Sequence, residues 1–332
     1  MIEIALKCGK LGCPAKPILS REAFSVYERL NPEQFEDIYT FEWFKPCLDL
    51  LVQAHHQNAK VYVMPKHLDY LKLSDNKRVL LAFSGGLDSV YQAFRLREKG
   101  YDVCLFHCKN MNYYTNGQEA KRVEEFAKKY NFNIVYGKMT TNWKATEYKK
   151  FWKENSWKDM LFYSMMFDYC IENDIRYISS GDDLRLSIDD AVVGTNLSDA
   201  RELTLAYVDG IKELSNINFL FVDPKEHKGK RLAKLVEKGA LDDYYSCVNP
   251  GKFNQLNHSR IEARFGVKLE QYNCGVCRKC AFHNLLRHYY LGEIFNPEFI
   301  DFCWDKIANG ADNVFFNEKL TLEERIKNLY DY

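Results

Sequence analysis

A short segment with two glycines and two serines has the composition of a phosphate-binding loop. Its residues are Ser84, Gly85, Gly86, Leu87, Asp88 and Ser89. It follows an apolar run over residues 79–83 and precedes a helical pattern. Glycines let the backbone come close to a phosphate, and the free N–H groups of a helix N-terminus attract an anion. We therefore expect phosphate binding here, with Asp88 either holding Mg²⁺ or orienting the loop.

Two common nucleotide-binding patterns are missing from this segment. Walker A requires Gly-Lys-Ser/Thr after its first glycine, and the dinucleotide fingerprint requires G-x-G-x-x-G. A tight turn between a strand and a helix would also use glycines. All six positions of the segment suit a phosphate loop, and the segment lies directly after a buried strand and at the start of a helix. These two features together favour a phosphate loop over a turn without a ligand.

A second group of residues with ligand chemistry lies near the C-terminus. Cys274, Cys277 and Cys280 follow the spacing C-x₂-C-x₂-C, and Cys247 lies 27 residues upstream. Four thiolates at such spacing suit a structural Zn²⁺ in a tetrahedral site. An iron–sulfur cluster is the rival, because spacing alone does not choose the metal. The chain has 11 cysteines, and we expect most of the others to be core or incidental residues.

The elements around these residues alternate between strand and helix from residue 77 onward. Strands are expected at 79–83, 103–106, 134–136, 177–179 and 219–222, and helices at 89–99, 118–130, 157–172 and 196–210. This alternation predicts an α/β fold with a doubly wound parallel sheet, whose ligands bind at the carboxyl ends of the strands. The first 74 residues are expected to be mostly helical, with helices after Ser20 and over 42–57.

The bulk composition is that of an ordinary globular protein. The chain has 332 residues, of which 46% are hydrophobic, and 46 basic side chains balance 46 acidic ones. A zero net charge provides no long-range attraction to nucleic acid or to anionic membranes. The N-terminus lacks a signal-peptide pattern, and no apolar run approaches the roughly 20 residues that span a bilayer. We expect a cytoplasmic protein with reduced cysteines.

The loop and the cysteines together resemble a known enzyme family. The pattern S-G-G-x-D-S resembles the PP-loop of the ATP pyrophosphatase superfamily, which cleaves ATP between the α- and β-phosphates and joins AMP to a substrate oxygen. With the cysteines, residues 77–291 resemble 7-cyano-7-deazaguanine synthase. The further similar positions are Asp223, Pro224, Lys230, Leu235, Val236, Tyr245, Ser246, Cys247, residues 198–202 and residues 286–291.

This resemblance implies an ATP-dependent ligase that acts on 7-carboxy-7-deazaguanine. Its carboxylate attacks the α-phosphate, pyrophosphate leaves, and ammonia displaces AMP to give an amide; a second adenylation gives the nitrile preQ0. The implied cofactors are ATP, Mg²⁺ and Zn²⁺, with zinc held by Cys247, Cys274, Cys277 and Cys280. The implied catalytic residues are Lys230 and Asp88, and the implied substrate-binding residues are Asp199 and Arg201.

The chain also departs from that family. Residues 107–112 replace its Y-G-Q-R-H segment, His283 stands where it often has Arg, and residues 184–196 are rearranged. The expected domains are an N-terminal extension over 1–74, a PP-loop ATP-binding domain over 75–246, a zinc-binding segment over 247–292 and a helical tail over 293–332. The extension has no counterpart in the small bacterial synthases and could recognise a nucleic acid or protein substrate. A homodimer is compatible with the sequence.

Three alternatives stay open at this point. A PP-loop tRNA thiolase would use a metal cluster or reactive cysteines near the loop, such as Cys104 and Cys108. A partner protein would bind nucleotide without turnover, although the intact loop argues against it. A relative in phage DNA modification or anti-phage defence would attach a deazaguanine to a macromolecule.

Overall fold

The protein is described by a computed structural model that covers 15 strands and helices. The described residues are 2–6, 37–40, 60–63, 72–109, 118–141, 158–181, 205, 208, 212, 215–223, 225–245, 247, 252–270, 272–293 and 296–308. The strands are β1 (Ile2–Leu6), β2 (Asp37–Thr40), β3 (Lys60–Val63), β4 (Arg78–Ala82), β5 (Asp102–Lys109), β6 (Asn133–Thr141), β7 (Tyr177–Ser179) and β8 (Asn218–Leu220). The helices are α1 (Leu87–Glu98), α2 (Gln118–Lys129), α3 (Lys158–Glu172), α4 (Lys228–Glu237), α5 (Lys252–Phe265), α6 (Arg278–Leu291) and α7 (Pro297–Ala308).

Six strands form one parallel sheet in the order β1-β6-β5-β4-β7-β8. The chain runs outward from β4 through β5 to β6, and then returns to place β7 on the other side of β4. Such a reversal of strand order opens a crevice at the carboxyl ends of the two strands that flank it. The doubly wound α/β fold predicted from the sequence is confirmed, and its switch point lies between β4 and β7.

The core of this sheet is apolar on both faces. Val79, Leu80 and Leu81 of β4 and Leu105 of β5 have no exposed surface, as expected for parallel strands that helices cover on both sides. Phe299 and Cys303 of α7 belong to the same apolar core as β4 and α1. The C-terminal helices are therefore packed into the sheet domain. Among the described residues no helix combines the length and the apolar character needed to cross a membrane.

The first 74 residues contain strands where the sequence analysis expected mostly helix. Strand β1 pairs in parallel with β6 and becomes the edge of the main sheet, and β2 and β3 pair in a separate two-stranded sheet. The alternation of Ile2, Ile4 and Leu6 with Glu3 and Ala5 has the period of a strand, a signal too short to stand out beside the expected helices. Those helices, after Ser20 and over 42–57, lie outside the described residues.

From residue 77 onward the element boundaries agree closely with the sequence. Strand β7 has the expected bounds, whereas β5 and β6 each begin one residue earlier and end three and five residues later, respectively. The helix expected over 196–210 lies almost entirely outside the described residues. The sequence therefore located the two elements that flank the glycine loop, β4 and α1, to within one or two residues.

Candidate active site and metal centre

The 84–89 loop connects β4 to α1 at the carboxyl end of a central strand. Gly85 has a φ of +77°, which favours glycine. The Gly86 N–H donates to Ser84 Oγ at 3.2 Å, and Ser89 Oγ donates to the Gly86 carbonyl at 3.0 Å. Helix α1 begins at Leu87, so its free N–H groups follow the glycines directly. This is the geometry of an anion-binding loop at a helix N-terminus.

The carboxylate of Asp88 accepts hydrogen bonds from two cations of helix α4. Lys228 Nζ lies 2.6 Å from Oδ2 and Arg231 Nη1 lies 2.5 Å from Oδ1. The Arg231 side chain is 1% exposed, that of Lys228 12% and that of Asp88 31%. Burial opposes ionisation, but the charges of Lys228 and Arg231 hold the pKa of Asp88 well below its usual range. Both oxygens are engaged, which favours loop orientation over direct Mg²⁺ ligation.

The lysine selected from the sequence, Lys230, is exposed in helix α4. Residues three apart share a helix face, as Lys228 and Arg231 do, whereas Lys230 is two residues from Lys228 and points elsewhere. In the structure Lys228 is the lysine that contacts the loop, and the catalytic role expected for Lys230 stays a prediction. The distance in sequence from Pro224 does not tell which face of the helix a residue occupies. It therefore could not distinguish between neighbouring lysines.

Strand β7 approaches the loop at Gly181, a residue that the sequence analysis missed. A Cβ atom at Gly181 would lie 2.7 Å from the Ser89 nitrogen and 2.8 Å from the Asp88 carbonyl carbon. Any larger side chain would displace the loop. Just before Gly181, the buried Ser180 accepts a hydrogen bond from the Tyr163 hydroxyl at 3.0 Å. The sequence has small residues directly after the expected strand, at the switch point of the sheet. This signal could have identified Gly181.

Strand β5 ends beside the loop with the buried His107. Its Nδ1 lies 3.0 Å from the carbonyl oxygen of Phe83, the residue before the loop. Burial lowers the pKa of His107, which favours a neutral imidazole that donates from Nδ1 to this carbonyl. His107 therefore links the ends of β5 and β4. The rest of the altered segment, residues 110–112, lies outside the described residues.

The four cysteines singled out from the sequence come together in the structure. The sulfur atoms of Cys247, Cys274, Cys277 and Cys280 all lie within 4.8 Å of one another. Those of Cys274 and Cys280 are 3.9 Å apart, close to the about 3.8 Å that tetrahedral zinc–sulfur bonds would impose. Backbone N–H groups of Cys277 and Cys280 point at Cys274 Sγ and Cys277 Sγ, each at 3.4 Å. This arrangement could hold a metal, either Zn²⁺ or an iron–sulfur cluster.

The cysteine cluster is tied to the glycine loop through Tyr245. The Tyr245 N–H donates to the Gly85 carbonyl at 2.6 Å, and Cys247 follows two residues later. A Cβ atom at Gly86 would lie 3.6 Å from the Tyr245 carbonyl oxygen. The segment that leads to Cys247 therefore packs directly against the loop.

Two other cysteines are poorly placed for thiol chemistry. Cys104 and Cys108 lie on β5, four residues apart, which separates them by about 13 Å along a strand and excludes a disulfide between them. Burial raises the pKa of Cys104 to about 11, and a protonated thiol is a weak nucleophile. The substrate residues expected from the sequence, Asp199 and Arg201, lie outside the described residues.

Comparisons with known proteins complete the description of this site. Residues 77–182, which are 106 of the 332, match the family model of the tRNA methyl transferase HUP domain. No curated protein matches the chain significantly.

Two solved structures show weak overall similarity. One is the U34-tRNA thiolase NcsA from Methanococcus maripaludis with its 4Fe–4S cluster, at 16% identity, 86% coverage of this chain, 88% coverage of that chain and a TM-score of 0.30. The other is the NH3-dependent NAD synthetase from Campylobacter jejuni subsp. jejuni NCTC 11168 in complex with the nitrate ion, at 12% identity, 85% and 100% coverage and a TM-score of 0.28. Similarity at this level is too weak to identify the fold, which is identified from the sheet topology and from the match to the HUP domain. The sheet domain has the PP-loop HUP fold.

Proposed function

We propose that the protein is an ATP-dependent ligase that adenylates a carboxylate and then amidates it with ammonia. The observation that supports this best is the 84–89 loop at the switch point of a PP-loop HUP fold, with Asp88 held between Lys228 and Arg231. In the adenylation step a carboxylate oxygen attacks the α-phosphorus. The bond from that phosphorus to the bridging oxygen breaks, and pyrophosphate leaves with the electron pair. Ammonia then displaces AMP.

The loop stabilises the leaving group in this proposal. Negative charge builds on the departing pyrophosphate, where free N–H groups at the start of α1 and the ammonium of Lys228 would act. Mg²⁺ would enter with the ATP phosphates as a Lewis acid, because Asp88 is already occupied by two cations. The catalytic lysine is thus Lys228 rather than Lys230, and Asp88 holds it in place.

For the cysteine cluster we propose one Zn²⁺ with a structural role. The short sulfur–sulfur separations support a single ion. A four-iron cluster would hold its four thiolates further apart, because iron and sulfide ions lie between them. Zinc has no redox chemistry of its own and stabilises the fold around four closed ligands.

We further propose 7-carboxy-7-deazaguanine as the acid and preQ0 as the final product. The support is the joint resemblance at the loop, at the cysteines and at Asp199 and Arg201. An aspartate such as Asp199 can accept hydrogen bonds from the amino group of a guanine-like ring. An arginine such as Arg201 can bind a carboxylate through two parallel hydrogen bonds.

The substrate is tested by mass spectrometry and calorimetry on the full-length protein. Incubation with ATP, Mg²⁺, ammonia and 7-carboxy-7-deazaguanine should yield AMP, pyrophosphate and the amide or nitrile. Arg201→Ala should weaken binding of the acid by about tenfold or more while ATP affinity is unchanged, because in this proposal Arg201 binds the carboxylate of the acid and not the phosphates. Clear ATP binding without detectable binding of the acid would leave the adenylation chemistry standing and remove this substrate.

A second candidate function is adenylation of a tRNA base followed by sulfur transfer. The match of residues 77–182 to the tRNA methyl transferase HUP domain favours it. The separation and burial of Cys104 and Cys108 count against a reactive cysteine pair, and the zero net charge is unlike that of most RNA-binding proteins. AMP formation that depends on added tRNA, together with iron and visible absorbance in the purified protein, would favour this function over the first.

A further inference from the structure

Arg122 of helix α2 is held between two tyrosine rings beside the loop. Its guanidinium carbon lies 4.3 Å from the ring centre of Tyr245 and 3.8 Å from that of Tyr272. The two rings are nearly perpendicular, with centres 6.3 Å apart. Both distances are within the range at which an aromatic face attracts a cation. Among the described residues, these two aromatic rings position the side chain.

The same residues connect Arg122 to the glycine loop. Tyr245, which packs on the guanidinium, donates its backbone N–H to the Gly85 carbonyl. Val123, the next residue of α2, places its Cγ2 3.6 Å from where a Cβ atom of Gly85 would lie. Lys228 and Arg231 contact the loop at Asp88, whereas Arg122 is tied to it at Gly85. The loop thus has cationic side chains associated with both of its ends.

One nitrogen of this guanidinium is buried without an acceptor from the residues that the structure describes. Arg122 Nη1 is fully enclosed, and within the part of the chain that the structure describes it has no hydrogen-bond acceptor. Native proteins rarely bury such a donor unless a ligand, an ion or water supplies the acceptor. Beside a loop with the geometry of an anion site, the acceptor that fits is an oxygen of a bound phosphate.

Arg97 shows that stacking on an aromatic ring does not by itself leave donors unpaired. Its guanidinium carbon lies 3.4 Å from the ring centre of Phe132. Its Nη1 and Nη2 nevertheless donate to the carbonyl oxygens of Tyr130 and Asn131, at 2.8 and 2.9 Å. Arg97 is a stacked arginine with a structural role, and it provides a matched comparison for Arg122.

We propose that Arg122 is a further catalytic residue, whose guanidinium contacts the β- and γ-phosphates of ATP at the 84–89 loop. This inference rests on the proposed adenylation. When the bond between the α-phosphorus and the bridging oxygen breaks, the electron pair leaves with pyrophosphate, and Arg122 neutralises part of the added charge. Arginine suits this role because its planar fork of donors matches phosphate oxygens and it keeps its charge when partly buried.

Calorimetric titrations of the full-length protein with ATP, AMP and magnesium pyrophosphate test this role. Arg122→Gln should bind ATP and pyrophosphate about tenfold to a hundredfold more weakly than the wild type, with AMP affinity unchanged. Arg97→Gln, the matched control, should bind all three ligands as the wild type does. Wild-type affinity of Arg122→Gln for ATP and pyrophosphate would overturn the inference. An equal loss for AMP would overturn it as well, because Arg122 would then support the loop and not the terminal phosphates.

A second variant covers the case in which Arg122→Gln does not fold. Arg122→Lys keeps the charge but not the planar set of donors, so this variant should still bind ATP more weakly than the wild type. If Arg122→Lys binds ATP as tightly as the wild type, a contact between Arg122 and two phosphates is contradicted. Failure of the proposed function is seen in the wild-type protein. If the wild type binds neither ATP nor pyrophosphate, both the adenylation and the role of Arg122 are wrong. If the wild type binds both and the variants bind them equally well, only the role of Arg122 is wrong.

Discussion

At the scale of single residues, the environment of Asp88 controls the geometry of the loop. The carboxylate is paired with Lys228 and with the almost fully buried Arg231. The Arg231 Nε in turn donates to the backbone carbonyl of Glu226 at 2.8 Å, and the carboxylate of Glu226 pairs with Arg95 of α1 at 2.9 Å. Loop, α1 and α4 are thus joined by one chain of charged groups. Removing one member should affect both phosphate binding and stability.

The first prediction is that Lys228, and not Lys230, acts in catalysis. Lys228→Ala should lower kcat/KM for pyrophosphate release by about a hundredfold, because a cation that stabilises the leaving group is lost. Lys230→Ala, two residues away on the exposed face of α4, should stay within about twofold of the wild type. A coupled pyrophosphate assay on both purified variants measures this. A larger loss in Lys230→Ala than in Lys228→Ala would return the role to the lysine selected from the sequence.

The second prediction concerns stability at acid pH. Asp88→Asn should lower the free energy of unfolding by about 3 kcal/mol near pH 7, because buried Arg231 loses its counter-charge. The pKa of Asp88 is depressed in the folded protein. Its contribution is therefore present above the ordinary value of about 3.9 and is lost as the pH falls through the lower, folded value.

Urea unfolding of wild type and variant at several pH values measures this difference. The difference should be constant from about pH 8 to about pH 5 and should shrink below about pH 4. Asp301→Asn, at an exposed position of α7, is the control and should change stability little at any pH. If Asp88→Asn lowers the free energy of unfolding as much at pH 3 as at pH 7, the charge pairs are not the cause of the loss.

At the scale of elements, the loop is enclosed by the ends of segments that are far apart in sequence. The segment after strand β7 contributes Gly181, helix α4 contributes Lys228, and the segment before the cysteine cluster contributes Tyr245. The Tyr245 contact has a direct consequence for the cysteine cluster. A ligand lost at Cys247 releases the segment that holds the Gly85 carbonyl, so metal binding and nucleotide binding should be coupled.

Removal of the metal is the third prediction. A strong chelator, or Cys277→Ser, should lower both the melting temperature and the affinity for ATP, the latter by about tenfold, because metal affinity contributes to folding of the surrounding segment. Cys303→Ser changes a buried cysteine outside the cluster and should leave ATP affinity unchanged. ATP calorimetry before and after chelation, with zinc restored afterwards, measures the coupling. Elemental analysis should give one zinc per chain, and iron in its place would remove the zinc assignment.

At the scale of the whole molecule, strand β1 of the N-terminal region lies in the same sheet as the strands beside the loop, but at a different position. Strand β1 occupies the outer edge beside β6, and β6 and β5 separate it from β4. The C-terminal helices α6 and α7 share the apolar core of the sheet, and α6 begins at Arg278, directly after Cys277 of the cysteine cluster. Gly181, Lys228 and Tyr245 of the C-terminal half contact the 84–89 loop, and recognition of a macromolecular substrate by residues 1–74 stays a prediction.

The sequence by itself determined the features that depend on short stretches of chain. Continuous apolar runs such as 79–83 predicted buried parallel strands, because such runs are covered on both faces. The six residues 84–89 predicted an anion loop, because glycines and a helix start lie next to each other in the chain. The C-x₂-C-x₂-C spacing predicted a ligand set. Each of these signals is complete within about ten residues, and needs no knowledge of what packs against it.

Only the tertiary structure decided which distant residues meet the loop. Lys228 rather than Lys230 faces Asp88 because the rotation of α4 about its axis is set by its packing against α1 and α6, not by distance from Pro224. Gly181 and Arg122 acquire their roles from close approaches between segments that are far apart in the chain. Strand β1 joins β6 across more than a hundred residues. Such contacts depend on the free energy of the whole packed core, which no local pattern encodes.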